Sequence, residues 1–219
     1  MTIRVGIVDD HPMVVGGLRA ALSTASDIAV TCHASTIADA ATLLRRDDVE
    51  VILLDVRVVD GNALQVLADR GPRAHPAVLV ISTFPSPQYV AASIKFGAAG
   101  FLPKTVPLQE LIGAIRVVAA GGSVFDPSQR RQPYVTLTPK ERDVLRLAIE
   151  GFSNKEIGAR IGTSRKTVEG HLSDIYAKYG ILGGRTELSI RAATEGWLEI
   201  EGPRKRRGRK APGASAHEG

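Results

Sequence analysis

Ile3-Arg4-Val5-Gly6-Ile7-Val8-Asp9-Asp10-His11-Pro12 is the stretch that decides how this chain is read. A short, mostly β-branched apolar run stops at two carboxylates, and a proline opens whatever follows. The same arrangement recurs downstream. Val51–Leu54 runs into Asp55, Val78–Ile81 into Ser82, and Gly100-Phe101-Leu102-Pro103 into Lys104. Runs of this length and composition are typical of strands buried on both faces of a parallel sheet. Parallel strands all point one way, so the residues that end them share one edge. That carboxyl edge is where open α/β folds bind ligands.

Working outward, strands near 3–8, 28–32, 51–54, 77–82 and 100–102 alternate with amphipathic stretches near 13–24, 36–46, 62–70, 87–97 and 107–120. This alternation predicts an α/β doubly wound, five-stranded parallel sheet with helices on both faces. Gly121-Gly122 stops the last helix. Residues 122–136, with Pro127, Pro133 and the polar group 128–132, read as a linker.

Beyond the linker the strand signals vanish. Thr138-Pro139-Lys140-Glu141 and Ser153-Asn154-Lys155-Glu156 are capping boxes that open two helices, ended by Gly151 and Gly162. After Gly162-Thr163-Ser164 a longer helix runs to about Tyr179, and a last one spans roughly Thr186–Glu195. A short helix, a three-residue turn with glycine and a longer helix predict a helix-turn-helix in an all-α domain over 137–200. The expected domains are therefore 1–121, the linker 122–136, 137–200, and a disordered basic tail over 201–219.

The 219 residues carry a net charge of +5, unevenly spread. Residues 1–125 hold 10 Lys/Arg against 11 Asp/Glu, residues 126–202 hold 12 against 11, and the last 17 hold 6 against 1. The basic balance belongs to the tail, so it does not by itself assign nucleic-acid binding to the folded part. A lone cysteine, Cys32, excludes an internal disulfide and fits a reducing compartment. No apolar stretch reaches the roughly 20 residues of a membrane helix, and the chain enters a strand without a signal-peptide pattern. A soluble cytoplasmic protein with no membrane partner is expected.

The crevice at the strand ends joins three carboxylates, a hydroxyl and an ammonium. Asp9, Asp10 and Asp55 are oxygen ligands suited to Mg²⁺ completed by water and phosphate oxygens. A carboxylate can also attack phosphorus to give an aspartyl phosphate. Asp55 ends a central strand while Asp9 and Asp10 share one loop, which makes Asp55 the acceptor and the pair metal ligands. Lys104 is placed to pair with phosphoryl oxygens and Ser82 to donate to them. His11 shapes the loop rather than binding metal, since no second His or Cys stands at ligand spacing. Enzyme readings fare worse. No G-x-G-x-x-G follows the first strand, and a phosphatase of this design needs an acid two residues after Asp55, where Arg57 stands.

Val8-Asp9-Asp10-His11-Pro12, Leu54-Asp55-Val56-Arg57, Ile81-Ser82-Thr83-Phe84 and Gly100–Lys104 resemble the receiver domains of two-component response regulators. Leu137–Leu198 is similar to the LuxR-type helix-turn-helix, and the two together to the NarL/FixJ class over about 200 residues. The resemblance implies a flavodoxin-like receiver in a regulator that is not an enzyme. It implies that a sensor histidine kinase phosphorylates Asp55, with Mg²⁺ at Asp9, Asp10, Asp55 and the Arg57 backbone carbonyl. Ser82 and Phe101 stand at the family's switch positions, although Phe101 also reads as plain core. Val59 replaces the family's usual proline. Homodimers are expected on activation.

The longer helix has a buried stripe of Val168, Leu172, Ile175 and Tyr179 at helical spacing. The opposite side, with Arg165, Lys166, Thr167, Glu169, Gly170 and Ser173, is the candidate surface for double-stranded DNA. Arg165 and Lys166 at its start suit phosphates. Relatives usually carry Lys and a branched apolar residue where this chain has Glu169-Gly170. Glu169 can accept from cytosine N4. Gly170 either permits closer approach to a base edge or is merely tolerated. The tail segment Arg204–Lys210 lies either on the DNA backbone or free in solvent. A phosphate-independent regulator, controlled by a ligand or a partner protein, is the alternative reading.

Overall fold

The apolar runs become strands because each can bury both of its faces. In the computed structural model, residues 2–70, 75–131 and 134–198 are described. The strands are β1 (Ile3–Val8), β2 (Ile28–Ala34), β3 (Val51–Asp55), β4 (Arg57–Val58), β5 (Gly61–Asn62), β6 (Ala77–Ser82) and β7 (Gly100–Pro103). Five of them form one sheet in the order β2-β1-β3-β6-β7, with every pairing parallel. The short β4 and β5 make a separate antiparallel hairpin just after Asp55, too short to leave a pattern in the sequence. Successive residues alternate between faces. In β3, Ile52 and Leu54 enter one core while Val51 and Leu53 enter the other.

Helices cover both faces. α1 (Pro12–Leu22) and α5 (Leu108–Ala119) pack on the side of Val51 and Leu53. α2 (Ile37–Leu43), α3 (Leu64–Arg70) and α4 (Pro87–Lys95) pack on the other. This is the doubly wound fold expected from the alternating pattern.

The linker is not featureless. Asp126 and Gln129 form a reciprocal capping box that starts α6 (Pro127–Arg130). Pro127 and Pro133 read as breakers in the sequence, but Pro127 occupies a first-turn position where its missing N–H costs nothing.

The all-α part comprises α7 (Pro139–Ile149), α8 (Asn154–Ile161), α9 (Arg165–Tyr179) and α10 (Gly184–Glu195). Both expected capping boxes are present, at Thr138/Glu141 and Ser153/Glu156. Gly162 closes α8 with a φ of +69°, a left-handed conformation that allows the tight turn into α9. Val168, Leu172, Ile175 and Tyr179 face inward, joining Leu145, Ile157, Leu188 and Trp197 in a core separate from those of the sheet. Each such side chain contributes about 1.5–3 kcal/mol through burial.

Contacts between described residues join the parts. Tyr134 meets Phe96 edge-on at 5.6 Å between ring centroids, with the Lys95 ammonium 3.9 Å from the Tyr134 ring. The end of α10 rests on the start of α4, where Ser86 Oγ donates to the Glu195 carbonyl at 3.4 Å. The tail at 201–219 lies outside the described residues.

Candidate functional site

Strand register sets the site. Val8 pairs beside Leu54, Asp55 beside Ile81 and Ser82 beside Pro103, so the terminal residues of four strands arrive at one edge. Asp9 and Asp55 are buried, as is Ser82. Lys104 bridges the two acids: its Nζ donates to Asp9 Oδ2 at 2.6 Å and to Asp55 Oδ2 at 2.5 Å. The other Asp9 oxygen accepts the His11 backbone N–H at 2.9 Å.

These contacts shape the charges. Burial pushes the Asp55 carboxyl above its ordinary range, and the neighbouring Asp9 adds to this against the pull of Lys104. Burial alone would lower the Lys104 ammonium, but its bonds to Asp55 and Asp9 outweigh it and raise the group. Lys104 is therefore a fixed cation between two acids.

The donor set fits a divalent cation. One ligand atom from each of Asp9, Asp10, His11 and Asp55 lies within 4.8 Å of the others. Asp10 Oδ1 is buried and accepts no hydrogen bond, although His11 Nδ1 lies 2.8 Å away. A buried acceptor left in that state is costly unless a cation faces it. Three carboxylates favour a hard ion. His11 comes within ligand reach, which no sequence spacing signalled, yet its side chain is 66% exposed and its N–H tethers the loop to Asp9.

A cavity of about 400 Å³ lies over Asp55 and Lys104. Ser82, Phe84 and Tyr89 wall it on the sheet side, while Ala193 and Thr194 at the end of α10 close it from the helical part. Ser82 Oγ is turned into its own loop, donating to the Phe84 carbonyl and accepting from the Phe84 N–H, both at 3.2 Å. Phe101 is fully buried in the same core as Tyr89. The Arg57 guanidinium reaches the Tyr89 hydroxyl at 3.4 Å. The contact of Tyr89 and α10 with this edge is not legible in the sequence, since neither carries a local signal for it, although the helix itself is expected there.

On α9, Arg165, Lys166, Thr167, Glu169, Gly170 and Ser173 are all exposed. Thr167 is partly committed to the helix start, with its N–H donating to Ser164 Oγ at 3.1 Å. Arg165 is not splayed toward a phosphate position; its Nε donates to Glu169 Oε1 at 2.7 Å.

Residues 5–116 match the response regulator receiver domain, and residues 135–192 match the bacterial regulatory proteins of the luxR family. The chain is a LuxR-type response regulator. The transcriptional regulatory protein MctR of Rhizobium johnstonii is 33% identical over 190 residues, covering 82% of this chain and 88% of that protein. The DNA-binding transcriptional activator DevR/DosR of Mycobacterium tuberculosis is 30% identical over 202 residues, covering 86% and 93%. RcsB of Salmonella enterica serovar Typhimurium, solved on a promoter with a phosphomimetic, superposes with a TM-score of 0.66. It covers 89% of this chain and all of that one at 23% identity, a likeness of fold. The regulator is thus a DNA-binding response regulator of two-component systems, in a family of transcriptional regulators rather than enzymes. Among the described residues no helix is long and apolar enough to cross a membrane.

Proposed function

We propose that Asp55 accepts a phosphoryl group from a sensor histidine kinase and that this controls dimerisation and DNA binding. The observation that carries the reading is the Lys104 bridge between Asp9 and Asp55, beside the donorless Asp10 oxygen. An Asp55 oxygen attacks phosphorus, the bond to the kinase histidine breaks, and the histidine leaves with the electron pair. Asp9, Asp10, Asp55 and the Arg57 carbonyl would hold a Mg²⁺, which when bound neutralises charge on the phosphoryl oxygens. Lys104 exchanges a carboxylate partner for a phosphoryl oxygen. Ser82 leaves Phe84 to donate to the same group, and Phe101 is the buried aromatic that adjusts behind it.

The consequence follows from placement. Thr194 and Ala193 line the same cavity as Asp55 and Lys104, so a phosphoryl group on Asp55 brings charge and a rearranged Ser82–Phe84 loop to the surface on which the end of α10 rests. Phosphorylation then favours release of the helical part, a bias of a few kcal/mol being enough. The released part binds double-stranded DNA as a homodimer on a two-fold site, through Arg165, Lys166, Thr167, Glu169, Gly170 and Ser173. In this reading a receiver over 1–121, a linker over 122–136, a DNA-binding domain over 137–200 and a basic tail over 201–219 work in the cytoplasm.

The test is incubation with Mg²⁺ and acetyl phosphate, followed by intact-mass spectrometry and gel filtration of wild type and Asp55→Ala. One added phosphoryl group, absent from the variant and accompanied by dimer, is expected. The same cavity between the parts is also large enough for a small ligand, which favours a phosphate-independent regulator as the second reading. Asp55→Ala with unchanged DNA binding and regulation would select it.

A further inference from the structure

Arg165 and Glu169 stand one helical turn apart and form an ion pair at 2.7 Å, with side chains 73% and 44% exposed. Helix stability does not account for the pair. An exposed i,i+4 pair contributes only a few tenths of a kcal/mol, and the order found here, cation before anion, is the less favourable one. A cation in the first turn also opposes the helix dipole. α9 is already capped by Ser164 and anchored by four buried side chains.

The neighbouring Gly170 sharpens the point. It costs the helix about 1 kcal/mol relative to alanine, yet nothing lies within 4 Å of a Cβ built on it. No packing inside the protein requires the glycine, which stands on the exposed side of α9 beside Glu169.

Resting on the DNA-reading role of α9, we propose that Arg165 and Glu169 act as one unit that reads two adjacent G·C pairs. Arg165 contacts guanine in one pair and Glu169 contacts cytosine in the next, while Gly170 lets both descend to the groove floor. With Nε committed to Glu169, the two terminal nitrogens of Arg165 remain as a fork matching guanine O6 and N7. Glu169, which Asn154 at the start of α8 also hydrogen-bonds, keeps carboxylate lone pairs to accept from cytosine N4. Four residues rise about 6 Å along the helix, between one and two base-pair steps of roughly 3.4 Å, and the 2.7 Å contact draws the two side-chain ends closer than that. Pairing also masks the carboxylate charge that phosphates would otherwise repel.

Selection from a randomised duplex library with the full-length protein, treated with Mg²⁺ and acetyl phosphate so that the helical part is released, tests this on wild type, Glu169→Ala, Glu169→Gln and Arg165→Ala. Circular dichroism checks that each folds. Wild type should enrich half-sites with adjacent G·C pairs, and replacing either pair by A·T should weaken binding about 5- to 150-fold. In Glu169→Ala that discrimination should collapse at the cytosine position, while affinity for random duplex rises. Glu169→Gln, which keeps an acceptor but loses the ion pair, should retain part of the cytosine preference. A motif whose G·C preferences are identical in wild type, Glu169→Ala and Arg165→Ala overturns the paired reader and leaves the DNA-reading face standing. No motif at all from folded wild type overturns the face itself, and the reader with it.

Discussion

Gly196 is the residue through which the helical part sits on the receiver. It closes α10 with a φ of +65°, and a Cβ built there would overlap the Tyr89 hydroxyl and lie 2.7 Å from Tyr89 Cζ. Ordinary carbon contacts are about 3.5–4.0 Å, so Gly196→Ala forces the two helices apart by about 1 Å. Tyr89 cannot yield easily, being fully buried with its hydroxyl beside the Arg57 guanidinium. Overpacking of this kind costs about 1–3 kcal/mol, which lowers the closed-to-open ratio roughly 5- to 150-fold. The left-handed conformation adds about 1–2 kcal/mol for alanine. That cost falls on the open and closed states alike, so it lowers the melting temperature without biasing closure. Because Ala193 and Thr194 cover the cavity above Asp55, opening should speed phosphorylation by acetyl phosphate at least about fivefold, within the range given by the overpacking cost. Intact-mass time courses would read the rate. In a Tyr89→Ala background, where the obstructing ring is gone, Gly196→Ala should add no further acceleration. An unchanged rate in folded Gly196→Ala would refute the idea that this contact guards the acceptor.

Other perturbations separate the remaining forces. Lys104→Met leaves Asp9 and Asp55 without their shared cation and should lower stability by about 3–5 kcal/mol in EDTA; scanning calorimetry should show Mg²⁺ recovering more of that loss than it adds to wild type. Glu141 is buried against Lys178 at 2.7 Å and also caps α7. Burial opposes its ionisation, but Lys178 and Thr138 win and hold its carboxyl below the usual range. Its contribution is therefore complete above the unfolded value of about 4.3 and fades as pH falls through the lower folded one. Acid unfolding monitored by circular dichroism should lose that component in Glu141→Gln. Glu141→Ala, which also breaks the capping box, should cost about 1 kcal/mol more at pH 7. Ile175→Ala, at a fully buried position, should cost about 2–5 kcal/mol in urea unfolding and leave phosphorylation of Asp55 intact.

The sheet was legible because burial on both faces leaves an uninterrupted apolar run with a sharp end. β1 and β6 match the sequence reading to the residue, and their polar terminators then located Asp9, Asp10, Asp55, Ser82 and Lys104 together. The helical domain was legible through its caps and glycines. What escaped had either no period or a misleading one. The β4–β5 hairpin is two residues on each side, too short to show alternation. Prolines concealed α6, although Asp126-Pro127-Ser128-Gln129 spells a capping box. Tyr89 reads as one more apolar helix residue, and its meeting with Gly196 depends on how two finished surfaces fit. Arg165 and Glu169 were each seen, but whether two exposed side chains join or point apart is settled by rotamers, which sequence spacing does not specify.

Trp197 follows Gly196 directly and is the chain's one tryptophan. It stacks on Tyr179 with centroids 3.7 Å apart, donates its indole N–H to Glu195 at 2.8 Å, and is 3% exposed. The regulator thus carries an intrinsic optical probe one residue from the contact between its two halves. Separation of α10 from α4 acts on the backbone next to a single indole, so a change in its emission would follow the opening in real time, in unlabelled protein, without DNA or a kinase present.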